Sequence, residues 1–130
     1  MVFSILVLGA PFNSQSAYTA FRFTKAVLES DHKIYRVFFY QDGIHNSSAI
    51  ATPPQDEFDL YQGWQDLQAH YSLDYVTCIA AAARRGLLND SEARRHNKAN
   101  SNMAKEFDLS GLGQLVEATA LSDQVITFGQ

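Results

Sequence analysis

The single cysteine of the chain, Cys78, is the strongest candidate for a reactive group. It stands in the stretch DYVTCIAAAARRGLL, residues 74–88, between an apolar run and the pair Arg84 and Arg85. A thiolate is the nucleophilic form of cysteine, and a helix N-terminus or a nearby arginine favours it over the thiol. Free cysteine is also among the most buried residue types, so an inert core position is the competing interpretation. The spacing leaves open whether the two arginines face the sulfur.

The other reactive residue types form no recognisable site. The chain has four histidines, which are His32, His45, His70 and His96. They are too scattered to identify a base for a cysteine hydrolase, and with one cysteine they show no zinc-ligand spacing. No metal or cofactor is therefore predicted. The stretch GAPFNSQS, residues 9–16, lacks the P-loop pattern, so a module that binds an anionic ligand there rests on fold analogy alone.

Composition favours a folded cytoplasmic protein with one domain, residues 1–130. The 130 residues are 46% hydrophobic and 18% charged, which is typical of a globular domain with its own core. One cysteine cannot form an intramolecular disulfide, which favours a reducing compartment. The opening run MVFSILVLGA has no basic leader and is too short to span a bilayer, so we expect neither a secretory signal nor a membrane anchor.

The net charge of −4 disfavours direct binding of nucleic acid, which usually requires clustered basic residues. Half of the ten basic residues do fall in a short stretch after Cys78. They are Arg84, Arg85, Arg94, Arg95 and Lys98. The simplest interpretation of this cluster is a solvated helical face.

Apolar runs alternate with segments of helical periodicity. The predicted strands are 3–8 (FSILVL), 34–40 (IYRVFFY), 74–80 (DYVTCIA) and the closing QVITF. The predicted helices run from Ser14 or Ser16 to Glu29, over 57–72, through AAARRG up to Gly86, over 90–95 as one further turn, and over 112–121. Within 57–72, a stripe of four residues at helical spacing indicates a core-facing side: Leu60, Trp64, Leu67 and Tyr71.

Two segments resist assignment. The polar stretch QDGIHNSSAIATPPQD contains Asp-Gly and Pro-Pro pairs that exclude a continuous helix or strand, and its length suggests a binding or lid role. Residues 96–107 are polar and ambiguous. The order of the assigned strands and helices along the chain predicts an α/β three-layer sandwich, in which a mostly parallel sheet is flanked by helices on both faces. Ligands bind such sheets beyond the carboxyl ends of the strands, where Cys78 is expected to lie.

Four stretches together resemble the TusD/DsrE family of sulfur-relay proteins over nearly the whole chain. They are SAYTAFRFTKAVLESDHKIYRVFFYQDGIHNSS, TPPQDEFDLYQGWQDL, CIAAAARRGLL and SGLGQLVEA. The resemblance implies a sulfurtransferase in which Cys78 accepts persulfide sulfur from an upstream carrier protein and passes it to a downstream carrier. In the TusD branch, which we favour, the sulfur ends in the 2-thiouridine of the tRNA wobble position. The alternatives are a DsrE-type subunit of dissimilatory sulfur oxidation and a noncatalytic assembly subunit with a buried cysteine.

The resemblance also implies partners. They are two homologous subunits, TusB-like and TusC-like, in a heterohexamer, together with TusA-like and TusE-like sulfur carriers, without direct contact to nucleic acid or a membrane. A lone cysteine suits a relay, because a persulfide with no second cysteine in the chain must pass to another molecule. One departure from the family pattern is Asp31, which stands before His32 where glycine is common. Aspartate is a poorer left-handed helix terminator than glycine, so the local turn is in question.

Overall fold

The structure, a computed structural model, describes residues 1–129 and alternates strands with helices. The strands are β1 (Val2–Val7), β2 (Lys33–Phe39), β3 (Tyr75–Cys78), β4 (Phe107–Ser110) and β5 (Gln124–Phe128). The helices are α1 (Ser16–Glu29), α2 (Leu60–Tyr71), α3 (Ile79–Arg84), α4 (Asp90–Arg95) and α5 (Gly113–Leu121), with a 3₁₀ segment at Gln41–Ser47.

The strands form one sheet in the order β4-β3-β2-β1-β5, and every neighbouring pair is parallel. The carboxyl ends of the strands therefore meet along one edge. There, Cys78 at the end of β3 pairs in register with Ser110 at the end of β4, and Val7 of β1 pairs with Phe39 of β2. The predicted α/β class with a parallel sheet is confirmed.

The two faces of the sheet are covered by different helices. One face packs against α1 and α2 and holds a cluster of buried aromatic rings, which we call the aromatic face: Phe21, Phe39, Trp64, Tyr75 and Phe107. The opposite face packs against α3 and α5. Its smaller apolar cluster includes Cys78, so we call it the cysteine face. Helices on both faces make the three predicted layers.

A buried arginine fastens α5 to the cysteine face. Arg36 of β2 donates hydrogen bonds to the Asp74 carboxylate (2.8 Å), to the Gln114 carbonyl (2.8 Å) and to the Glu117 carboxylate (3.1 Å). The Tyr35 hydroxyl donates to the same Glu117 oxygen at 2.8 Å. Because a buried guanidinium requires partners for its N–H groups, these bonds stabilise the position of α5.

Strand β4 was not predicted, so the predicted order of four strands is wrong by one. This strand begins at the last residue of the ambiguous segment 96–107, is only four residues long and lies at the sheet edge. Its exposed Asp108 interrupts the apolar pattern that identified the other strands. The 3₁₀ segment was missed for a related reason, because its Asp-Gly pair is typical of an isolated turn.

The bounds of α2 and its core stripe differ slightly from expectation. Helix α2 begins at Leu60 rather than residue 57, because the Asp59 carboxylate accepts the Gln62 backbone N–H at 3.0 Å and caps the first turn. Trp64 is fully buried, as the stripe predicts, together with Leu60 and Leu67. The prediction that Tyr71 shares this core is wrong, since Tyr71 is 36% exposed at the helix end.

Two left-handed residues end helices at positions that the sequence had identified. Gly86, the predicted terminator after α3, has φ +78°. Asp31 follows α1 with φ +62°, and the next residue, His32, donates its backbone N–H to the Val27 carbonyl at 3.2 Å. The aspartate thus occupies a conformation that glycine adopts more readily.

Candidate functional site

Cys78 lies where β3 ends and α3 begins, at the carboxyl edge of the sheet. Its backbone is extended (φ −62°, ψ 118°), and it is the N-cap residue of α3. The chain changes from strand to helix here because the buried run YVTC is followed by IAAAAR, rich in the strongest helix former. Helix α3 has six residues, so its aligned peptide dipoles favour a thiolate less than those of a long helix would.

The sulfur of Cys78 is buried in the isolated chain. The residue is 4% exposed and belongs to the apolar cluster of the cysteine face, together with Ile44 of the 3₁₀ segment and Ala81 and Ala82 of α3. Met103, from the loop before β4, packs against the same cluster. In the chain by itself, the sulfur is therefore not directly reachable from solvent. A partner thiol or persulfide can meet this sulfur only if the surrounding side chains move.

The 3₁₀ segment is fixed in place beside Cys78 by close packing against β1. A Cβ atom on Gly43 would lie 2.0 Å from the Val7 carbonyl oxygen, so only glycine allows this approach. On the other side, the Ser47 hydroxyl is 2.6 Å from the Thr77 hydroxyl, one residue before Cys78. The segment and the end of β3 are thus joined by a buried hydrogen bond.

Asn46 connects the same segment to the aromatic face. Its side-chain amide donates to the carbonyl oxygens of Gly9 (3.1 Å) and Gly43 (2.8 Å), and its oxygen accepts the indole N–H of Trp64 at 2.9 Å. All of these side-chain atoms are buried and paired, which makes the segment rigid. No sequence pattern predicts this role, because two of the partners, Gly9 and Trp64, are distant from Asn46 along the chain.

The two arginines after Cys78 are not equivalent. Arg84 is exposed on α3. Arg85 donates to the Asp42 carboxylate at 2.8 Å and to the Ala81 carbonyl at 3.1 Å, so its charge is balanced by a carboxylate of the 3₁₀ segment. The ion pair joins the end of α3 to that segment, the two elements beside Cys78. Its contribution to stability is small, because Asp42 is more than half exposed.

One of the four histidines lies at the same edge of the sheet. His45 is part of the 3₁₀ segment, where its ring contacts the exposed Phe12 ring at a centroid distance of 5.3 Å. Burial lowers the pKa of His45, the positive charge of Arg85 lowers it further, and Asp42 opposes both effects. The imidazole is therefore neutral at physiological pH. Among residues 1–129, no hydrogen bond links it to the sulfur of Cys78.

The remaining histidines lie elsewhere. His32 contacts the amino terminus at 2.9 Å, His70 lies against Tyr71 on α2, and His96 follows α4. Residues 1–129 hold no group of His, Cys, Asp and Glu side chains that could bind a metal ion. No helix among them is both long and apolar enough to cross a bilayer. Where the loop after β1 meets α1, the hydroxyls of Ser14 and Ser16 form a hydrogen bond of 2.9 Å.

Comparison with known proteins identifies similar chains of the same length. The model of the DsrE/DsrF-like family matches residues 1–128. The chain is 44% identical to DsrE of Allochromatium vinosum over 129 residues, covering 99% of both chains. It is 41% identical to the sulfurtransferase TusD homolog of Vibrio parahaemolyticus over 128 residues, covering 98% of both chains.

A solved structure has the same fold. The crystal structure of the ychN protein from E. coli superimposes with a TM-score of 0.76, covering 98% of this chain and 100% of that one. The sequence identity of 21% limits this likeness to the fold.

Proposed function

Because this chain is a sulfurtransferase of the DsrE/DsrF-like family, we propose that Cys78 is the residue that carries the sulfur. The observation that carries the proposal is the position of the only cysteine, at the carboxyl edge of a parallel sheet where α/β proteins place their reactive groups. No other side chain of the sequence offers a thiol.

The proposed reaction is a pair of thiol–persulfide exchanges. The Cys78 thiolate attacks the outer sulfur of a donor persulfide, a new S–S bond forms, and the donor sulfur leaves as a thiolate. An acceptor thiolate then attacks the outer sulfur on Cys78, and Cys78 leaves as a thiolate. Each step forms one S–S bond and breaks another, so neither an external oxidant nor a metal is required.

Burial of the sulfur makes partner binding part of the mechanism. At 4% exposure, Cys78 cannot meet a donor while Ile44 and Met103 pack on its cluster. We propose that docking of a donor, an acceptor or a homologous subunit displaces part of this cover. The buried state protects a persulfide from reaction with small thiols between the two exchanges.

The test is a sulfur-transfer assay with the chain assembled with its candidate partner subunits. A donor protein is loaded with labelled persulfide sulfur, and the label on the acceptor protein is measured over time. We expect Cys78→Ala and Cys78→Ser to abolish transfer while both variants stay folded and assembled. Transfer at the wild-type rate by either variant would rule out the proposed role of Cys78.

A second part of the proposal concerns the final acceptor of the sulfur. We propose delivery through a downstream carrier to tRNA wobble uridine, which the similarity to a TusD homolog supports. The slightly higher identity to DsrE supports the alternative, a place in dissimilatory sulfur oxidation. Complementation of a strain that lacks tRNA 2-thiolation separates the two: restored 2-thiouridine supports the tRNA route, and its continued absence despite assembly with the host subunits supports the other.

A noncatalytic assembly subunit is the second candidate, and the burial of Cys78 favours it. In that case, another subunit of the complex carries the reactive thiol. The two candidates differ in the alkylation rate of Cys78 in the assembled, native complex. Faster alkylation upon addition of a donor or acceptor carrier supports sulfur transfer, whereas protection under all conditions supports the assembly role.

A further inference from the structure

Residues 84–98 carry a net positive charge in a chain that is otherwise acidic, and we call them the basic segment. The segment contains five basic and two acidic residues, whereas the rest of the chain contains five basic and twelve acidic ones. It covers the end of α3, the whole of α4 and the turn after α4. The contacts of each side chain show how much of this charge is neutralised locally.

Two of the five basic side chains are paired with carboxylates. Arg85 donates to Asp42 at 2.8 Å, and Arg95 donates to Glu92 at 3.0 Å. The other three basic residues are exposed: Arg84, Arg94 and Lys98. Among residues 1–129, none of these three forms a salt bridge. Three positive charges of the basic segment therefore face solvent without a carboxylate partner within this part of the chain.

Arg94 and Lys98 line the same polar cavity beside α4. The cavity has a volume of about 310 Å³, and its lining includes one carboxylate, that of Asp90. This carboxylate accepts a hydrogen bond from the Ser101 hydroxyl, and the Lys98 backbone N–H donates to the Ala93 carbonyl at 2.8 Å. Because these bonds fix the backbone on both sides of the cavity, the two cations are held where one carboxylate of a partner can meet both.

The basic segment begins close to the candidate sulfur site. Arg84 ends the helix that starts directly after Cys78, so the two residues are about 9 Å apart along the helix axis. Leu87 belongs to the buried cluster that contains Cys78. The Asn102 side chain accepts the backbone N–H of Leu88 at 2.9 Å, which ties the turn before α4 to the loop after it. A protein that contacts the basic segment therefore also reaches the cover of Cys78.

We propose that the basic segment is a docking surface for an acidic protein, the sulfur carrier that exchanges persulfide with Cys78. The identity of this partner as a carrier rests on the proposed function, whereas its acidic character follows from the three unpaired cations. Nucleic acid is a poorer fit, because its binding usually requires a larger basic cluster than three cations in a chain of net charge −4. Complementary charge raises the association rate of two proteins and sets their orientation.

The unpaired cations act on the encounter with the carrier and not on the exchange of sulfur. The reaction itself takes place at Cys78, and its two steps require thiolates only. Loss of the positive charge should therefore raise the Kd and the KM for the carrier and leave kcat unchanged. Salt should weaken the attraction, since charges in water are screened beyond about 10 Å at 0.1 M ionic strength.

Binding is measured first in the Cys78→Ser background, so that it does not depend on sulfur transfer. The chain, assembled with its candidate partner subunits, is titrated at low and high salt with fluorescently labelled TusA-like and TusE-like carriers. We expect Arg94→Glu/Lys98→Glu to raise the Kd of one carrier at least about tenfold at low salt and to abolish its salt dependence. Polyglutamate should compete with that carrier for the unsubstituted segment, and polylysine should not.

The matched control is Lys25→Glu/Lys33→Glu. It makes the same change in net charge on exposed residues of α1 and of the opposite edge of the sheet, so it should leave the Kd within about twofold. Arg94→Lys retains the charge and should bind like the unsubstituted chain. Circular dichroism confirms that each variant is folded.

The sulfur-transfer assay then separates the two proposals. With Cys78 present, Arg94→Glu/Lys98→Glu should raise the KM for the carrier without changing kcat. Equal weakening by both reversed pairs, weakening by neither, no binding of either carrier, or stronger competition by tRNA than by polyglutamate would each overturn the docking proposal. Salt-dependent binding that requires Arg94 and Lys98, with no sulfur found on Cys78, would support the docking surface and overturn only the proposed sulfur transfer.

Discussion

The two faces of the sheet are built differently, although the same strands supply both. On the aromatic face, Trp64 lies within 5.3 to 5.6 Å of the rings of Phe21, Phe39 and Tyr75. The Tyr75 hydroxyl also donates to the Trp64 carbonyl at 2.7 Å. These edge-to-face contacts and the buried hydrogen bond make this face the larger contribution to the free energy of unfolding.

The cysteine face has a smaller core of mostly short side chains. It packs small residues such as Ala81, Ala82 and Cys78 under short helices, and a polar network centred on Arg36 holds α5. Val116 and Leu121 of α5 stay exposed, and so does Leu112 just before the helix. Because the aromatic face maintains the fold, the cysteine face can rearrange around Cys78 without global unfolding of the chain.

The largest expected effect is on the aromatic face. Trp64→Ala should lower the free energy of unfolding by about 3–5 kcal/mol, because it leaves a cavity among aromatic rings and an unpaired Asn46 oxygen. Cys78→Ala should lower it by only about 1 kcal/mol, because it removes a single buried atom. Urea denaturation measures both. Equal losses would contradict the proposed difference between the faces.

A smaller loss of stability is expected when the 3₁₀ segment, which connects the two faces, is displaced. Gly43→Ala places a Cβ atom 2.0 Å from the Val7 carbonyl, so the 3₁₀ segment must shift at a cost of about 1–3 kcal/mol. Ile44 moves with it, and the rate at which iodoacetamide alkylates Cys78 should increase several-fold. Gly113→Ala is the control, since nothing lies within 4 Å of the new Cβ. An unchanged alkylation rate in Gly43→Ala would show that this segment does not protect the sulfur.

Asp31→Gly should stabilise the chain by about 0.5–1 kcal/mol, because glycine adopts the left-handed backbone at φ +62° more readily. Ser30→Gly, at φ −103°, should instead reduce stability, since it also removes the hydroxyl bond to the Ala26 carbonyl. Thermal unfolding measures both. The alkylation rate of Cys78 should not change in either, because the turn lies at the opposite end of the sheet.

The smallest expected effect is on the stability of the fold at acidic pH. Hydrogen bonds from Tyr35 and Arg36 hold the pKa of Glu117 below its ordinary value of 4.5. A carboxylate with a lowered folded-state pKa stabilises the fold above its unfolded pKa, and this stability is lost as the pH falls through the folded value. Urea midpoints at pH 7 and pH 3 should therefore differ less in Glu117→Gln than in the wild type. An identical acid dependence would exclude Glu117 as a contributor.

The sequence was sufficient for the elements with a continuous apolar pattern. The runs FSILVL and IYRVFFY identified β1 and β2, and the stripe that contains Trp64 identified α2, because burial on a sheet or helix face imposes a period. Strand β4 was not predicted from the sequence, because an edge strand needs few apolar residues. The turn at Asp31, which the departure from the family's glycine put in question, keeps a left-handed backbone.

Features of the site that depend on distant contacts could not be predicted. The roles of Gly43 and Asn46 come from Val7, Gly9 and Trp64, which are remote in sequence. Periodicity also placed Cys78 at the sheet edge without indicating how deeply it lies. Two residues of its apolar cluster, Ile44 and Met103, belong to the two segments that the sequence pattern left unassigned.

The most direct test of the central claim is to locate the transferred sulfur. The assembled complex is incubated with a persulfide-bearing carrier protein, and this chain is then analysed by intact and peptide mass spectrometry. We predict one additional sulfur atom, located on Cys78 and lost when an acceptor thiol protein is added. Sulfur found only on a partner subunit, with Cys78 unmodified under all conditions, would contradict the account.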